Sequence, residues 1–439
     1  MAQPVRTTRA MSRRAAIASL VGTTIEWFDF FVYGLAAALV FGKLFFPAFD
    51  THSGQLASFA TLAVAFVARP IGAAVFGHLG DKLGRRSTLI MTLSIMGVST
   101  GLIGALPTYH SIGIAAPILL ITLRLSQGLA VGGEWGGAVL MSVEHAPPSR
   151  RRLFGSAPQM GSPLGLVLAT AVMSAVSALP NDQLLAWGWR IPFLTGFVLV
   201  AVGLAIRLGV AEPEQFSELK SAGQTVRLPI GEVFTRAWRG LAVGTGVQAS
   251  VNVVFYLISV YFLTYATTSL GMARETALLI VMVAAAIDLL VLPVVAAASD
   301  RVGARPVLLG GVLFTAAAVF PFFWLMGRDQ VFLTGLVVTV MMLGAHATVY
   351  AVISSVIADQ FDTKVRYSGT ALSNALGALI FSAPTPFVAE ALVGNGTRWW
   401  PLALLTVASA AISLVAVVGV RHKKHAASTA PEPALPASA

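Results

Sequence analysis

Residues 77–86 read GHLGDKLGRR, and residues 298–306 read ASDRVGARP. When the two stretches are aligned on their aspartates, they share an acidic position, a glycine and two basic positions. The matched positions are Asp81 and Asp300, Lys82 and Arg301, Gly84 and Gly303, and Arg86 and Arg305. A second echo, residues 152–155 (RLFG) against residues 366–369 (RYSG), follows further on in each half. Echoes at a nearly constant step indicate that the chain contains two copies of one unit.

The chain is far more apolar than a water-soluble protein. Of its 439 residues, 56% are hydrophobic and 11% are charged, whereas roughly a quarter are charged in soluble domains. Apolar runs of about 20 residues, the length that spans a bilayer as a helix, recur throughout. The runs cover residues 17–41, 56–76, 87–106, 115–143, 153–178, 188–208, 240–267, 275–297, 306–326, 331–357, 368–393 and 399–420. These runs predict an all-α integral membrane protein with twelve transmembrane helices.

The basic residues, which give a formal net charge of +10, alternate with this topology. One set of loops and both termini carry most of them: Arg6, Arg9, Arg13, Arg14, Lys82, Arg85, Arg86, Arg150, Arg151, Arg152, Arg301, Arg305, Lys364, Arg366, Arg421, Lys423 and Lys424. The loops on the other side hold only Lys43, Arg274, Arg328 and Arg398. This positive-inside pattern places both termini in the cytoplasm and predicts a multi-pass protein of the inner (plasma) membrane. It argues against a nucleic-acid partner.

Several function classes are excluded by composition and motifs. The chain has no cysteine, and its seven histidines lack metal-ligand spacing, so we expect neither disulfides nor a metal site. It contains no P-loop, so we expect no ATP hydrolysis. The first apolar run is too long for a cleavable signal and contains Glu26 and Asp29. We predict that the protein is not an enzyme and uses no cofactor.

Changes in composition divide the chain into five segments. They are a cytoplasmic arm (1–16), a six-helix bundle (17–208), a polar cytoplasmic linker (209–239), a second six-helix bundle (240–420) and a disordered cytoplasmic tail rich in Ala, Pro and Ser (421–439). In a chain this apolar, the duplication is typical of a secondary transporter with its substrate site between the halves.

Polar residues inside the predicted spans follow helical spacing, so each set lies along one face. The sets are Glu26, Asp29 and Tyr33 in helix 1; Arg124, Gln127 and Glu134 in helix 4; Gln248, Asn252 and Tyr256 in helix 7; and His346, Tyr350 and Ser354 in helix 10. Charges inside a membrane are costly unless they pair or face water, so they indicate function by default.

Arg124 is the candidate substrate ligand, because a guanidinium holds a carboxylate through two parallel hydrogen bonds. Without substrate it needs a protein carboxylate, and Asp29 is the best placed. Protonation of Asp29 would free Arg124 for substrate, which makes Asp29 the first candidate for proton coupling, followed by Glu26 and Glu134. The role of Asp288 stays open.

The predicted substrate-binding residues are Arg124, Gln127, Tyr33, Gln248, Asn252, Tyr256, His346 and Tyr350. Structural alternatives remain. Arg124 could clamp helix 4, Glu134 could brace helices 2 and 4 through Arg69, and the Gln248 set could bond between helices. His346 alone is weak support for a proton relay.

Several motifs carry a resemblance to a known family. The stretch GDKLGRR resembles the signature loop of the major facilitator superfamily. The stretches 26–30 (EWFDF), 69–72 (RPIG), 124–128 (RLSQG), 132–137 (GGEWGG) and 187–192 (WGWRIP) resemble its metabolite–proton symporter branch. The resemblance covers residues 15–421. It implies two pseudo-symmetric six-helix bundles, a central cavity lined by helices 1, 4, 7 and 10, and proton-driven uptake by alternating access.

That branch includes shikimate, 2-oxoglutarate, citrate and proline/betaine carriers. Its osmosensing betaine carriers have a long heptad-bearing C-terminal extension. The tail here is short and lacks heptads, which disfavours osmosensing.

The repeated loops predict a gate rather than a recognition site. The gating residues are Asp81, Arg85, Arg86, Asp300, Arg301 and Arg305. Asp81 would latch one half to the other, and Arg85 and Arg86 would pair with acids such as Glu144. We expect Asp300 to contribute less, because Ala304 replaces an arginine there. Charges that merely set topology would explain the arginines but not the matched acids and glycines.

The sequence therefore predicts a proton-coupled importer of a small organic carboxylate that functions as a monomer in the lipid bilayer. Three alternatives stay open. One is symport of a zwitterion such as betaine or proline. Another is export by proton antiport, for which residues 161–165 (GSPLG) faintly echo an antiporter motif. The third is a membrane receptor that binds a ligand without moving it.

Overall fold

A computed structural model describes residues 9–49, 51–208, 229–326, 328, 330–393 and 398–420. Twelve helices in these ranges are long and apolar enough to cross a membrane, which confirms the predicted number. Their spans are α1 Ser12–Ala36, α2 Ala60–Gly80, α3 Arg86–Ala105, α4 Ala115–Glu144, α5 Pro148–Val176, α6 Gly188–Ala205, α7 Trp238–Tyr261, α8 Glu275–Val302, α9 Ala304–Met326, α10 Val331–Asp359, α11 Arg366–Val393 and α12 Trp400–Val418.

Some spans belong to longer or irregular helical runs. The helix that carries α2 extends over Thr51–Leu83. π-helical turns occur at Ala37–Phe41, Leu257–Tyr261, Met342–Ala347 and Ala378–Ser382. Short helices on the connections are Gly42–Phe45, Tyr109–Ile112, Asn181–Ala186 and Pro229–Thr235. Because π-turns are frequent at functional positions, those in α7, α10 and α11 draw attention to the second bundle.

The spans form two bundles whose packing repeats. In the first bundle α1 packs on α5, α2 on α4, and α3 on α6. In the second, α7 packs on α11, α8 on α10, and α9 on α12. Between the bundles α2 meets α11 and α5 meets α8, and the repeat relates these two contacts as well. The duplication in the sequence is therefore a duplication of architecture.

The matched glycines of the repeated loops share one backbone conformation. Gly84 has φ 114° and Gly303 has φ 95°, a region that only glycine adopts without strain. Gly84 follows the helix of α2, and Gly303 follows α8. We call the end of the molecule that carries these two glycines the motif face.

The glycines of α4 allow a close approach to α2. A side-chain carbon at Gly132 would lie 2.1 Å from the carbonyl oxygen of Arg69, and one at Gly128 would lie 2.6 Å from that of Ala65. Small residues let membrane helices pack backbone to backbone.

The predicted tail and residues 209–228 of the predicted linker lie outside the described residues, as do residues 1–8 of the arm. The five segment boundaries stay predictions.

Candidate functional site

A polar cluster joins α1, α3 and α4, and we call it the Arg124 cluster: Asp29, Tyr33, Thr100, Arg124 and Gln127. Nη1 of Arg124 lies 3.3 Å from Oδ2 of Asp29 and 3.0 Å from Oε1 of Gln127. Nε2 of Gln127 donates to both carboxylate oxygens of Asp29, at 2.9 and 3.0 Å. The Thr100 hydroxyl donates to Oδ1 of Asp29 at 2.6 Å. The expected contact between Asp29 and Arg124 is thus present.

The Arg124 cluster lies inside the first bundle rather than between the bundles. Arg124 is 2% exposed and Asp29 is 4% exposed. The guanidinium lies over the Tyr33 ring, 4.1 Å from its centroid, and the Tyr33 hydroxyl is 2.5 Å from the Thr61 hydroxyl of α2. These partners of Arg124 and Tyr33 all belong to the first bundle, and a position of Arg124, Gln127 and Tyr33 in the central cavity stays a prediction. A helical stripe identifies one face of a helix, but it does not say which neighbour that face meets.

A second group lies where the two bundles meet, and we call it the junction site: Glu26, Phe66, Arg69, Tyr256 and Tyr350. The Arg69 guanidinium lies 4.5 Å from the Phe66 ring centroid. The Phe66 ring in turn is 6.2 Å from the Tyr256 ring of the second bundle. The charges of Glu26 and Arg69 both act on Tyr256 and Tyr350. The electrostatic influence of Glu26 and Arg69 thus reaches both tyrosines, and a role of Glu26, Tyr256 and Tyr350 in the site stays a prediction.

A buried acid and histidine pair within the second bundle. Nδ1 of His346, in a π-turn of α10, lies 3.2 Å from each carboxylate oxygen of Asp288 in α8. The imidazole is stacked between two rings, with centroid distances of 4.8 Å to Phe255 and 4.6 Å to Tyr350. Asp288, whose role the sequence leaves open, is thus the partner of a predicted site residue. Among the described residues, no group of three His, Asp or Glu side chains is placed to hold a metal ion.

Among the remaining polar residues of the predicted stripes, Gln248 and Glu134 make contacts between helices, and Asn252 is assigned no contact. Nε2 of Gln248 donates at 2.9 Å to the Ser373 carbonyl of α11 and also to a carbonyl of its own helix. This favours the interhelical alternative over substrate binding. Asn252, one turn later, is half-buried. Glu134 accepts a hydrogen bond of 2.8 Å from Thr92 of α3 and is 1% exposed.

At the motif face, Asp300 of the second bundle is bonded to the first. Its carboxylate accepts hydrogen bonds from the backbone N–H groups of Arg152 and Leu153, at 2.9 and 3.1 Å. Nη1 of Arg152 also lies 3.8 Å from Oδ1 of Asp300. Asp300 therefore caps the start of α5 from across the bundle boundary.

Two further ion pairs cross the same boundary. Arg366 lies 3.2 Å from Glu144, and Arg151 lies 2.9 Å from Asp359. The sequence did not predict Arg366 as a partner of Glu144, and the pairing of Glu144 with Arg85 or Arg86 stays a prediction. The sequence did not predict the ion pair between Arg151 and Asp359. All three contacts hold the bundles together at the motif face.

The other predicted gating residues are less informative. The side chains of Asp81 and Arg85 lie outside the described part of the structure. Arg86 donates to the carbonyl of Leu208 at 2.6 Å. Arg301 is exposed, and Arg305 is half-buried.

Sequence reasoning also gave too little weight to Arg69 and missed Thr100. Arg69 is an ionisable residue within a span, which is a functional signal by itself, but we considered it only as a brace for Glu134. Thr100 carries no such signal, because its side chain is common in membrane helices and only its partner distinguishes it.

Comparisons with known proteins place this geometry in a family. Residues 15–220 match the family model "Sugar (and other) transporter", and residues 244–438 match "Major Facilitator Superfamily". The inner membrane metabolite transport protein YhjE of Escherichia coli K12 is 37% identical over 420 residues, 94% of each chain. This chain belongs to the major facilitator superfamily. Within it, the chain falls in the metabolite–proton symporter branch.

Other relatives of this facilitator carry more specific names. The shikimate transporter of E. coli K12 is 37% identical over 422 residues, covering 94% of this chain and 96% of that one. The proline/betaine transporter of the same organism is 34% identical over 421 residues, covering 93% and 82%.

Solved structures share the facilitator fold. The proton:xylose symporter XylE superposes with a TM-score of 0.72 at 15% identity, over 93% of this chain and 95% of that one. The human organic anion transporter MFSD10 gives 0.68 at 14% identity, over 95% and 100%. At these identities the likeness concerns the fold.

Proposed function

We propose that this facilitator is a proton-coupled secondary transporter that imports a small organic carboxylate by alternating access. The observation that carries the proposal is the buried contact between Asp29 and Arg124. All the partners of Asp29 in the Arg124 cluster are donors, so each contact is stronger while Asp29 carries its negative charge. A proton on Asp29 removes that charge and loosens α1 from α3 and α4. The carboxyl group thereby links proton binding to helix packing.

The contacts between the bundles support alternating access. The motif face is closed by three ion pairs that cross the bundle boundary. We assign this face to the cytoplasm, since the loops there carry most of the Lys and Arg. Substrate then enters from the opposite face, and breaking these contacts releases it inside. Both bundles lie on one chain, so a monomer suffices.

The substrate class is supported less directly. One relative is named for shikimate, a carboxylate. We propose that Asn252, Tyr256 and Tyr350 contact the substrate from the second bundle, and that Glu26 or Glu134 takes the proton if Asp29 does not.

Symport of a zwitterion is a second candidate, with an observation in its favour. A relative that covers most of this chain is named for proline and betaine. The aromatic rings at the junction site also suit a quaternary ammonium group, which binds over ring faces.

Proteoliposomes with an imposed proton gradient provide the test. Uptake of labelled shikimate, glycine betaine and proline would be measured with the outside acid, with and without a protonophore. We expect one of them to accumulate above its external concentration only while the gradient persists. Accumulation only when the imposed proton gradient is directed outward would indicate antiport. Binding without accumulation or counterflow would indicate a receptor and contradict the proposal.

A further inference from the structure

A buried acid–histidine pair that the proposed coupling does not use lies within the second bundle: Asp288 of α8 and His346 of α10. Asp288 is 0% exposed and His346 is 1% exposed. Nδ1 of His346 lies 3.2 Å from each carboxylate oxygen of Asp288, and Oδ2 of Asp288 accepts no hydrogen bond of its own. His346 also lies in a π-turn, and such turns are frequent at functional positions. Ionisable side chains within a membrane span indicate function by default.

The two buried aspartates, Asp29 and Asp288, differ in what balances their charge. Asp29 accepts hydrogen bonds from three side chains, among them Arg124, and an arginine stays charged at every physiological pH. Asp288 has one donor among the described residues, the His346 imidazole, whose charge depends on a proton. A charged Asp288 beside a neutral imidazole leaves a net negative charge in low-dielectric surroundings, which is costly. One proton on the ring removes that net charge.

The two ring nitrogens of His346 have distinct roles in the pair. Nδ1 faces the carboxylate, which only accepts hydrogen bonds while it is charged, so Nδ1 carries a hydrogen. Nε2 has no hydrogen-bond partner within the described ranges, so its lone pair is available for an incoming proton. Protonation at Nε2 gives an imidazolium that still donates from Nδ1 to Asp288, and no existing contact has to break.

Both rings that enclose the imidazole also contact the first bundle. The imidazole stacks between Phe255 of α7 and Tyr350 of α10, at centroid distances of 4.8 and 4.6 Å. The Phe255 ring packs edge to face with Trp27 of α1 at 5.8 Å. The Tyr350 carbonyl accepts a hydrogen bond of 3.3 Å from Gln159 of α5. Because a cation is attracted to ring faces, a proton on His346 acts on both of these contacts between the bundles.

The π-turn that carries His346 packs against α7, α8 and α9. Asp288 is the acid of α8 that contacts the ring, and α9 has no ionisable side chain after Arg305. The other ionisable groups nearby are Tyr256 of α7, Tyr350 of α10, and Glu26 and Arg69, whose opposite charges both act on Tyr350. Among the described groups, only Asp288 forms a hydrogen bond or an ion pair with the imidazole. Asp288 therefore has the largest influence on whether the ring is charged.

We infer that His346 and Asp288 form a second proton-binding site, in the second bundle, that takes up one proton at Nε2 of His346 in each transport cycle. The inference rests on the proposed proton-coupled transport. The site holds its proton while the pair is buried, and it releases the proton when the bundles separate and water stabilises the charge of Asp288. With Asp29 in the first bundle, two protons then accompany each substrate molecule.

The limit of accumulation in proteoliposomes counts these protons. With a pH gradient of one unit, acid outside, and the membrane potential clamped at zero, one coupled proton allows about tenfold accumulation and two allow about a hundredfold. The probe is whichever of shikimate, glycine betaine and proline accumulates in the uptake assay. We expect a limit of about a hundredfold in wild type. A limit of about tenfold would overturn the inference.

Asp288→Asn tests the acid of the pair. The variant pair is neutral without a proton, which is the net charge of the loaded site, so the empty carrier cannot return in an unloaded form. We expect exchange across the membrane to survive and concentrative uptake to fall by about tenfold or more. The matched control is His110→Gln, at an exposed histidine on the connection before α4, and its accumulation should equal that of wild type. Wild-type accumulation by Asp288→Asn would contradict a proton site at the pair.

Histidine labelled with 15N in the ring reports the charge of the imidazole in purified protein without any substrate. The resonance that is missing from His346→Gln identifies His346. We expect this ring to change between its charged and neutral forms over roughly pH 5 to 8, the range in which imidazoles titrate. In Asp288→Asn it should stay neutral over that range, because no anion remains to hold the proton. One charge state throughout in wild type, or equal titration in Asp288→Asn, would overturn the inference.

The readouts separate this inference from the proposed function. If Asp288→Asn fails to fold, the accumulation limit and the His346 resonance of wild type decide. Absence of gradient-driven accumulation for every probe, with a His346 ring that titrates in wild type and not in Asp288→Asn, would contradict the proposed transport and leave the proton site supported. Gradient-driven accumulation with a His346 ring that never changes its charge would contradict the proton site alone.

Discussion

Asp29 shows how one ionisable residue connects a proton to the position of three helices. Its carboxylate accepts from Thr100 on α3 and from Gln127 and Arg124 on α4. An uncharged carboxyl has weaker contacts with all three, so protonation acts on α1, α3 and α4 together. The consequences are measurable in transport assays.

Asp29→Asn should separate exchange from accumulation. The variant mimics a permanently protonated side chain, so it cannot release a proton inside. We expect substrate exchange across liposomes to survive and concentrative uptake to be lost. Substrate binding should also lose most of its pH dependence between roughly pH 5 and 8, where a coupling carboxyl titrates. Asp182→Asn, at an exposed acid on a connection, is the control and should leave accumulation and its pH dependence unchanged. Gradient-driven accumulation by Asp29→Asn would transfer the coupling role to Glu26 or Glu134.

Arg124→Lys tests whether Arg124 acts through packing or through substrate. Lysine keeps the charge, but it lacks the planar fork that contacts Asp29, Gln127 and the Tyr33 ring. We expect proton-driven uptake to fall about tenfold or more while the protein still inserts. Binding in detergent should fall less than proton-driven uptake. A loss of binding as large as the loss of uptake would assign Arg124 to the substrate site.

At the level of helices, the approach of α4 to α2 depends on the absence of side chains. The backbone of α2 fills the space where a residue at 128 or 132 would place its β-carbon. The same α2 carries Arg69 and α4 carries Arg124, so this packing positions both arginines.

Gly132→Ala should therefore destabilise the protein. Its methyl group would lie 2.1 Å from the Arg69 carbonyl oxygen, and backbone cannot move aside as a flexible side chain does. Overpacking of this kind costs about 1–3 kcal/mol. We expect the melting temperature to fall by several degrees. The control is Gly34→Ala in α1, where no atom lies within 4 Å of the added carbon. Equal melting temperatures for the two variants would contradict the packing argument.

For the whole molecule, closure of the motif face depends on contacts between the two bundles. The sequence repeat makes two of these contacts equivalent. Arg152 and Arg366 are matched positions of the repeat, and each pairs with an acid of the opposite bundle, Asp300 and Glu144. The two halves thus hold each other by equivalent residues. Asp300 contacts Arg152 and Leu153 across the boundary, and the expectation that it contributes less than Asp81 stays a prediction.

Asp300→Asn should shift the protein toward the conformation open at the motif face. Asparagine can still accept one backbone hydrogen bond, but it loses the charge that holds Arg152. The chain has no cysteine, so spin labels on two introduced cysteines, one in each bundle at the motif face, report the opening. We expect a larger population at long distance. Asp182→Asn, at an exposed acid on a connection, is the control and should leave the distances unchanged. An unaltered distribution in Asp300→Asn would remove Asp300 from the gate.

The sequence by itself determined the number of spans, the duplication and the family. Each depends on local properties: a span needs only about 20 apolar residues, and a repeat or a motif is visible along the chain. The sequence also predicted which polar residues share one face of each helix, because helical spacing alone determines this.

Only the tertiary structure decided which residues meet. It paired His346 with Asp288, Glu144 with Arg366, and Arg151 with Asp359. A stripe of polar residues gives a direction from one helix axis, whereas a contact depends on the rotation, tilt and depth of two helices at once. In lipid, where many apolar faces are equivalent, these are set by close packing and by the pairing of buried polar groups.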